Sequence, residues 1–341
     1  MKTAGARILF LADTHLGFDM PVRPRVERRR RGPDFFRNYE RVLESASVHR
    51  VDFVVHGGDL LFRRKVAPKL VQEAVGPLKR LADTGVPVYL VPGNHERSEI
   101  PYEMLAFHPH VHIFDRPRVF VAEVNGIRVA VAGFPNCRDD ARKRFPSLVN
   151  ETGVGDVEAD VRLLCVHQCF EGAVVGPSDY TFSHAADVVR MQDVPGDCAA
   201  VLSGHIHRHQ VLTNDLMGKE APAPVLYPGS IERTSFAEKD EPKGYIVLEV
   251  APDERPGGVL HSWEFRRLPA RPMLVRELHV GSEAPALDTA IRDAIATAPD
   301  DAILQLRIQG TLSDRDRAVL TAENLRALAP ETMNLELRLQ R

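Results

Sequence analysis

Residues 7–15 read Arg-Ile-Leu-Phe-Leu-Ala-Asp-Thr-His, an apolar run that stops at an acid and an imidazole. The pattern recurs along the chain. Asp52–His56 leads into Gly57-Gly58-Asp59, and Val86–Val91 into Gly93-Asn94-His95-Glu96. Val161–Val166 leads into His167-Gln168, and Ala199–Leu202 into Gly204-His205-Ile206-His207. Continuous apolar runs of this length suit strands buried on both faces. Ile127–Ala132 and Gly244–Val250 extend the set, and helical patterns fall between, at Asn38–His49 and at Pro68–Asp83. Strand and helix alternating in this way predicts a layered α/β fold.

Composition shifts at Ala251–Gly258 and again at Pro269–Pro272, after which a regular pattern follows. Met273–Val280 reads as a strand, Ala286–Ala298 as a helix, Ala302–Gln309 as a strand, Ser313–Leu328 as one helix capped by Ser313, and Met333–Gln340 as a strand. This βαβαβ pattern sets a boundary between a domain at 1–268 and a small one at 269–341. The small domain carries no clustered carboxylates and no His after His279, so it is expected to shape or cap a site.

A chain of 341 residues can bury roughly three-quarters of its unfolded surface. Hydrophobic residues make up 44% and charged ones 27%, as in soluble globular proteins. Net charge is −3, so any affinity for nucleic acid must come from a local basic patch. Cys137, Cys165, Cys169 and Cys198 form no CxxC pair, and Cys165 and Cys198 sit in apolar runs, as reduced core thiols do. The apolar run Ile8–Ala12 is too short for a signal peptide, and no stretch approaches membrane-spanning length. A soluble cytoplasmic protein, without membrane, is expected.

The chemistry lies where the runs end. The carboxyl ends of strands are where open α/β sheets gather ligands, so these distant segments can converge at one edge. Asp13 and Asp59 supply carboxylates, Asn94 an amide oxygen, and His15, His167, His205 and His207 imidazoles. Oxygen and nitrogen donors without a thiolate suit manganese, iron or zinc, and this number suits two ions better than one. Two neighbouring ions can clamp a phosphoryl group and activate water. Singly, each motif has a plainer reading: a helix cap with a surface His for Asp13-Thr14-His15, a packed His for His167, a turn for Gly93–Glu96. Alternation in Gly204-His205-Ile206-His207 is stronger, because it points both imidazoles the same way. Together, in this order and each after a strand, they point to metal binding.

The set resembles the calcineurin-like metallophosphoesterases, whose pattern runs D-x-H, GD, GNH, H, GHxH. The resemblance covers roughly residues 7–235 and implies a two-sheet α/β sandwich core. It implies one metal held by Asp13, His15, Asp59 and His207, and another by Asp59, Asn94, His167 and His205, with Asp59 bridging. It places His95 outside the ligand set, against the scissile phosphate. Leu16-Gly17, Gly57–Leu60 and Tyr227–Phe236 (YPGSIERTSF) narrow the resemblance to the nuclease subunit of the SbcC–SbcD DNA repair complex and its counterpart in the MRN complex. That branch carries a small α/β cap, acts on DNA with manganese and works with an ATPase partner. Two departures stand out. Gly58-Asp59-Leu60-Leu61-Phe62-Arg63 lacks the Asp or His that usually follows GDLF, and the tail that grips the ATPase is not evident before Arg341.

Secondary features invite further expectations. Arg23, Arg25 and Arg28–Arg31 are either a solvated segment or phosphate contacts, as are Arg63-Arg64-Lys65 and Arg142-Lys143-Arg144. No aromatics interleave with them, so gripping of the backbone is expected rather than base stacking. His56 reads as packed or supporting, His209 as a surface residue beside the site, and His108, His110 and His112 as one strand face turned to solvent. Tyr227 and Ser230 are expected to shape a loop. Met104 and Phe107, with the helix Pro68–Asp83, form a candidate homodimer surface. The expected activity is manganese-dependent DNA cleavage, exonuclease or endonuclease. The alternatives are a phosphodiesterase or phosphatase acting on small nucleotides or phosphoproteins, and a non-catalytic scaffold. None of the seven donors is replaced, which argues against the scaffold.

Overall fold

The computed structural model describes residues 5–21, 29–63, 65–96, 108–281 and 284–340. The chain divides into two compact units. The larger comprises Met1–Phe18, Gly32–Thr234 and Glu241–Leu268. The smaller comprises Asp19–Arg31, Ser235–Asp240 and Pro269–Arg341. Composition alone places Asp19–Arg31 and Ser235–Asp240 with the first 268 residues; by contact they group with the smaller unit.

Two six-stranded sheets form the larger unit. One runs, in spatial order, Val259–Arg267, Gly244–Ala251, Ala6–Leu11, Phe53–His56, Val88–Leu90 and Val111–Ile113. Its last four strands are parallel. The other runs Gln210–Asn214, Glu220–Tyr227, Ala200–Ser203, Val161–Val166, Ile127–Gly133 and Arg118–Val124. Its four central strands are parallel.

Side chains alternate across a strand, and both faces are covered. Ile8, Phe10, Phe53 and Val55 pack with Val129, Val131, Leu163, Leu202 and Leu226 in one core between the sheets. Leu9, Leu11 and Val54 face the opposite way, onto Phe35, Tyr39 and Val42 of the helix Gly32–Val48 and Val71, Ala74 and Leu78 of the helix Pro68–Asp83. Ala130, Ala132, Leu164 and Val166 meet Phe145, Leu148 and Val149 of the helix Ala141–Glu151. This is a helix–sheet–sheet–helix sandwich, and it explains the uninterrupted apolar runs. The apolar face of Pro68–Asp83 is spent on this core. Met104 and Phe107, its expected companions in a dimer surface, lie outside the described residues.

In the smaller unit, Met273–His279, Ile303–Gln309 and Asn334–Gln340 form a parallel sheet in that order. The helix Leu287–Ala296 covers it through Leu287, Ile291, Ala294 and Ile295. The single helix expected at Ser313–Leu328 is two, Asp314–Val319 and Ala322–Leu328. Ser313 caps the first with a capping box to Asp316, and Thr321 caps the second by accepting from Asn324 N. An N-cap residue sits outside helical backbone geometry, so Thr321 breaks the run.

The His108–His112 expectation is overturned. The strand is only Val111–Ile113. His108 Nε2 lies 3.0 Å from Asp83 Oδ1, and the His112 ring stacks on Tyr89 and packs against Phe120. No described helix is long and apolar enough to cross a membrane.

Candidate metal centre

The parallel strands end at one level. Leu11 pairs with His56 and His56 with Leu90, while Ser203 pairs with Val166 in the other sheet. Asp13, Asp59, Asn94, His167 and His205 therefore leave from strand carboxyl ends side by side. Backbone bonds lace the first two loops together: Asp13 N donates to Gly58 O at 2.9 Å, and His15 N to Asp59 O at 3.0 Å.

Four donor residues hold left-handed backbone although none is glycine: Asp13 (φ 50°), His15 (45°), Asp59 (55°) and His205 (86°). Each such residue costs roughly 1–3 kcal/mol, and such strain gathers at functional sites. Gly58 (φ 106°) and Gly93 allow the crowding around them, since a Cβ would strike His167 at the first and Asp59 at the second.

Two donor groups meet at Asp59. In one, donor atoms of Asp13, His15 and His207 lie within 4.8 Å of one another, and His15 Nε2 stands 2.9 Å from His207 Nε2. In the other, Asn94 Oδ1 lies 2.9 Å from both His167 Nε2 and His205 Nδ1. Asp59 Oδ2 stands between them, 3.9 Å from His15 Nε2 and 3.5 Å from His167 Nε2. All seven expected donors are thus brought together.

Burial sets the protonation of the imidazoles. It drives His15 well below its ordinary value and His205 to about 3, leaving both neutral with lone pairs to offer. Burial would raise Asp59, but the charge and hydrogen bond of His167, with His15 and His95, hold it below the carboxylate range. Burial would lower His167, yet Asp59 and Asp13 lift it to about 9. Asp59 Oδ2 and His167 Nε2, 3.5 Å apart, each favour the charged form of the other. Asp13 is raised by burial to about 6.

These residues fit a pair of divalent cations. Among the described residues His15 Nδ1 has no hydrogen-bond partner, though it is buried. Two imidazole nitrogens facing each other at 2.9 Å need a proton or a cation between them. The donors are oxygen and nitrogen throughout, and all four cysteines are free and buried elsewhere.

His95 is held differently. Its Nδ1 donates to Phe62 O at 2.6 Å, which turns Nε2 toward Asp59 Oδ2, 3.9 Å away. Its backbone N–H donates to Asp59 Oδ1 at 3.0 Å. The side chain stays 35% exposed, whereas those of His15, Asp59 and His167 are buried.

Residues missed in the sequence hold the donors in place. Glu96 is buried, accepting from Leu61 N at 2.9 Å and Gly93 N at 3.1 Å, and burial raises it to about 7. Its position in Gly93-Asn94-His95-Glu96 is the only signal it gives. Lys243 Nζ donates to His207 O at 3.0 Å and pairs with Glu241 at 3.2 Å. Nothing in its surroundings in sequence marks it. His56 supports the site as expected, with Nδ1 accepting from Gly58 N at 3.2 Å and Nε2 at 3.1 Å from Thr14 Oγ1.

Other expectations resolve variously. His209 is half-buried, its ring stacked on Phe265 with centroids 4.0 Å apart. Tyr227 shapes its surroundings, donating to Gln168 O at 3.0 Å and accepting from Phe170 N at 2.9 Å. Ser230 donates to Glu232 O at 2.9 Å. Arg29 bonds Thr332 O and Arg30 bonds Asp19, within the smaller unit, and Arg31 is buried there. Arg23, Arg25, Arg28 and Arg64 lie outside the described residues. Arg63 lies over the Phe62 ring. Arg142 is committed to Ser183 O and Val188 O.

The family model described as calcineurin-like phosphoesterase matches residues 6–209. Three curated relatives share the description "DNA double-strand break repair protein Mre11". That of Aeropyrum pernix is 26% identical over 72% of this chain and 58% of its own length. That of Methanosarcina mazei is 30% identical over 72% and 36%. That of Haloferax volcanii is 32% identical over 72% and 50%. The chain thus spans between about a third and three-fifths of these relatives.

Proposed function

The chain belongs to the calcineurin-like phosphoesterase family, and from that premise we propose that it is a manganese-dependent DNA nuclease of the Mre11 type. Asp13, His15, Asp59 and His207 would hold one ion, and Asp59, Asn94, His167 and His205 the other. The observation that carries this is Asp59 Oδ2, within 3.9 Å of an imidazole nitrogen from each donor group. Bound ions supply a Lewis acid for the phosphoryl oxygens and lower the pKa of water. The residues do the rest. Glu96 and the glycine loops fix the donors, and His95, oriented by Phe62 O, directs Nε2 at the leaving oxygen as acid or hydrogen-bond donor.

DNA is favoured by the YPGSIERTSF segment and by the relatives named for double-strand break repair. An SbcC-type ATPase partner, a homodimer and a cytoplasmic setting belong to the same proposal. A phosphodiesterase for small nucleotides would share every donor, so the substrate decides. We expect manganese to yield a product ladder from end-labelled DNA, with cyclic nucleotides cleaved more slowly. Faster turnover of the cyclic nucleotides would overturn the DNA assignment.

A further inference from the structure

We propose that the groove beside Asn94 and His205 seats the phosphodiester linkage next to the scissile one, gripped by Arg138 and Arg144; this rests on the nuclease reading. The groove measures about 960 Å³, and Asn94, Asn136, Arg138, Arg144 and His205 line it. It opens directly from the candidate metal centre, because two donor residues form its wall. Such a volume is near the upper end of ligand clefts, roughly 300–1,000 Å³. A lone phosphoryl group at the donors would leave it empty.

The loop carrying Arg138 is built against the donor loops. Asn136 N donates to Pro92 O at 2.9 Å, and Asn136 Nδ2 to His167 O at 2.6 Å. The Gln168 amide faces the backbone of Cys137, and turned by 180° it donates to Cys137 O at 3.1 Å and accepts from Cys137 N at 2.5 Å. The backbone before Arg138 is thus fixed to the loops bearing Asn94 and His167. A fixed backbone at the base of the side chain leaves less entropy to lose on binding.

Both arginines are exposed, and among the described residues neither guanidinium is held in an ion pair. Arg142, between them, is by contrast used up on Ser183 O, Val188 O and Glu171. A guanidinium fork matches phosphate oxygens with paired charge-assisted bonds. Asp115, Asp139 and Asp187 also line the groove. Asp115 is paired with Arg118 at 2.9 Å. Asp139 and Asp187 add negative charge to the same groove, which opposes a longer stretch of backbone.

The test compares an end-labelled oligonucleotide with bis(p-nitrophenyl) phosphate, both in manganese. The small diester reaches the donors but carries no second phosphate. For R138A/R144A we expect kcat/KM on DNA to fall about tenfold or more per arginine. The slope of log KM against log salt should shrink by about one per arginine. The small diester should be cleaved within about twofold of the parent rate. R138K/R144K should recover part of the DNA activity, since an ammonium keeps the charge without the fork, and D139N/D187N should lower KM for DNA. Unchanged DNA cleavage in R138A/R144A, or equal slowing on both substrates in the alanine and lysine variants, overturns the groove assignment alone. A parent protein that cleaves the small diester but no DNA overturns the nuclease reading itself, and the groove assignment with it.

Discussion

His95 separates chemistry from metal binding at the level of a single side chain. Its Nδ1 is occupied by Phe62 O and its backbone N–H by Asp59, so only Nε2 is free to meet substrate. Asn at this position keeps the backbone bond that holds Asp59 and removes the group that reaches the leaving oxygen. H95N should lower DNA cleavage by about 10²–10⁴-fold, the usual worth of a positioned acid. Metal content after dialysis should stay close to that of the parent. If the variant lost both ions, His95 would belong among the donors instead. The seven donors were legible because each follows a strand in a short motif with glycine or a paired residue. Lys243 and Asn136 were not, because they act through contacts 36 and 31 positions away in sequence, and spacing carries no trace of such contacts.

Elements differ in legibility for a related reason. Phe53–His56 is buried along its whole length and Val161–Val166 at every residue but Arg162, so hydrophobicity marks them. Val259–Arg267 and Arg118–Val124 lie at sheet edges with mixed exposure. One face of such a strand meets solvent, so its sequence carries more charged residues than a buried strand does. Gln210–Asn214 escapes notice in the same way. The broken helix of the smaller unit is a different case, for its signal was present in Thr321 but hidden by a continuous helical pattern. That cap gives a prediction. Thr321→Ala removes the oxygen that accepts from Asn324 N and should destabilise the smaller unit by about 0.5–2 kcal/mol. Thr321→Ser, which restores the acceptor, should regain most of it. Chemical denaturation of the three proteins checks both; equal stability of T321A and the parent would mean that the break between the helices does not depend on this cap.

At the scale of the molecule, layered burial and a formal charge of −3 leave little room for diffuse attraction to a polyanion. The described part of the arginine run is held within the smaller unit, Arg29 on Thr332 and Arg30 on Asp19. What the larger unit offers instead is a donor cluster held open by strained backbone. Four left-handed non-glycine donors and the burial of Asp13 and Asp59 side by side cost stability that bound cations would return. Manganese at about a hundredfold above its Kd should add about 2.7 kcal/mol, raising the melting temperature by on the order of 5–10 °C for a unit of this size. Chelation should reverse the gain. Hydrogen exchange locates it: amides of His56, Val166 and Ser203, at the strand ends beneath the donors, should slow on adding manganese. Those of Leu304, Leu306 and Ile308, in a separate core of the smaller unit, should not. Slowing shared equally by both sets would place the stabilisation outside the donor cluster, and no slowing at either would mean that the convergence of these side chains does not bind metal.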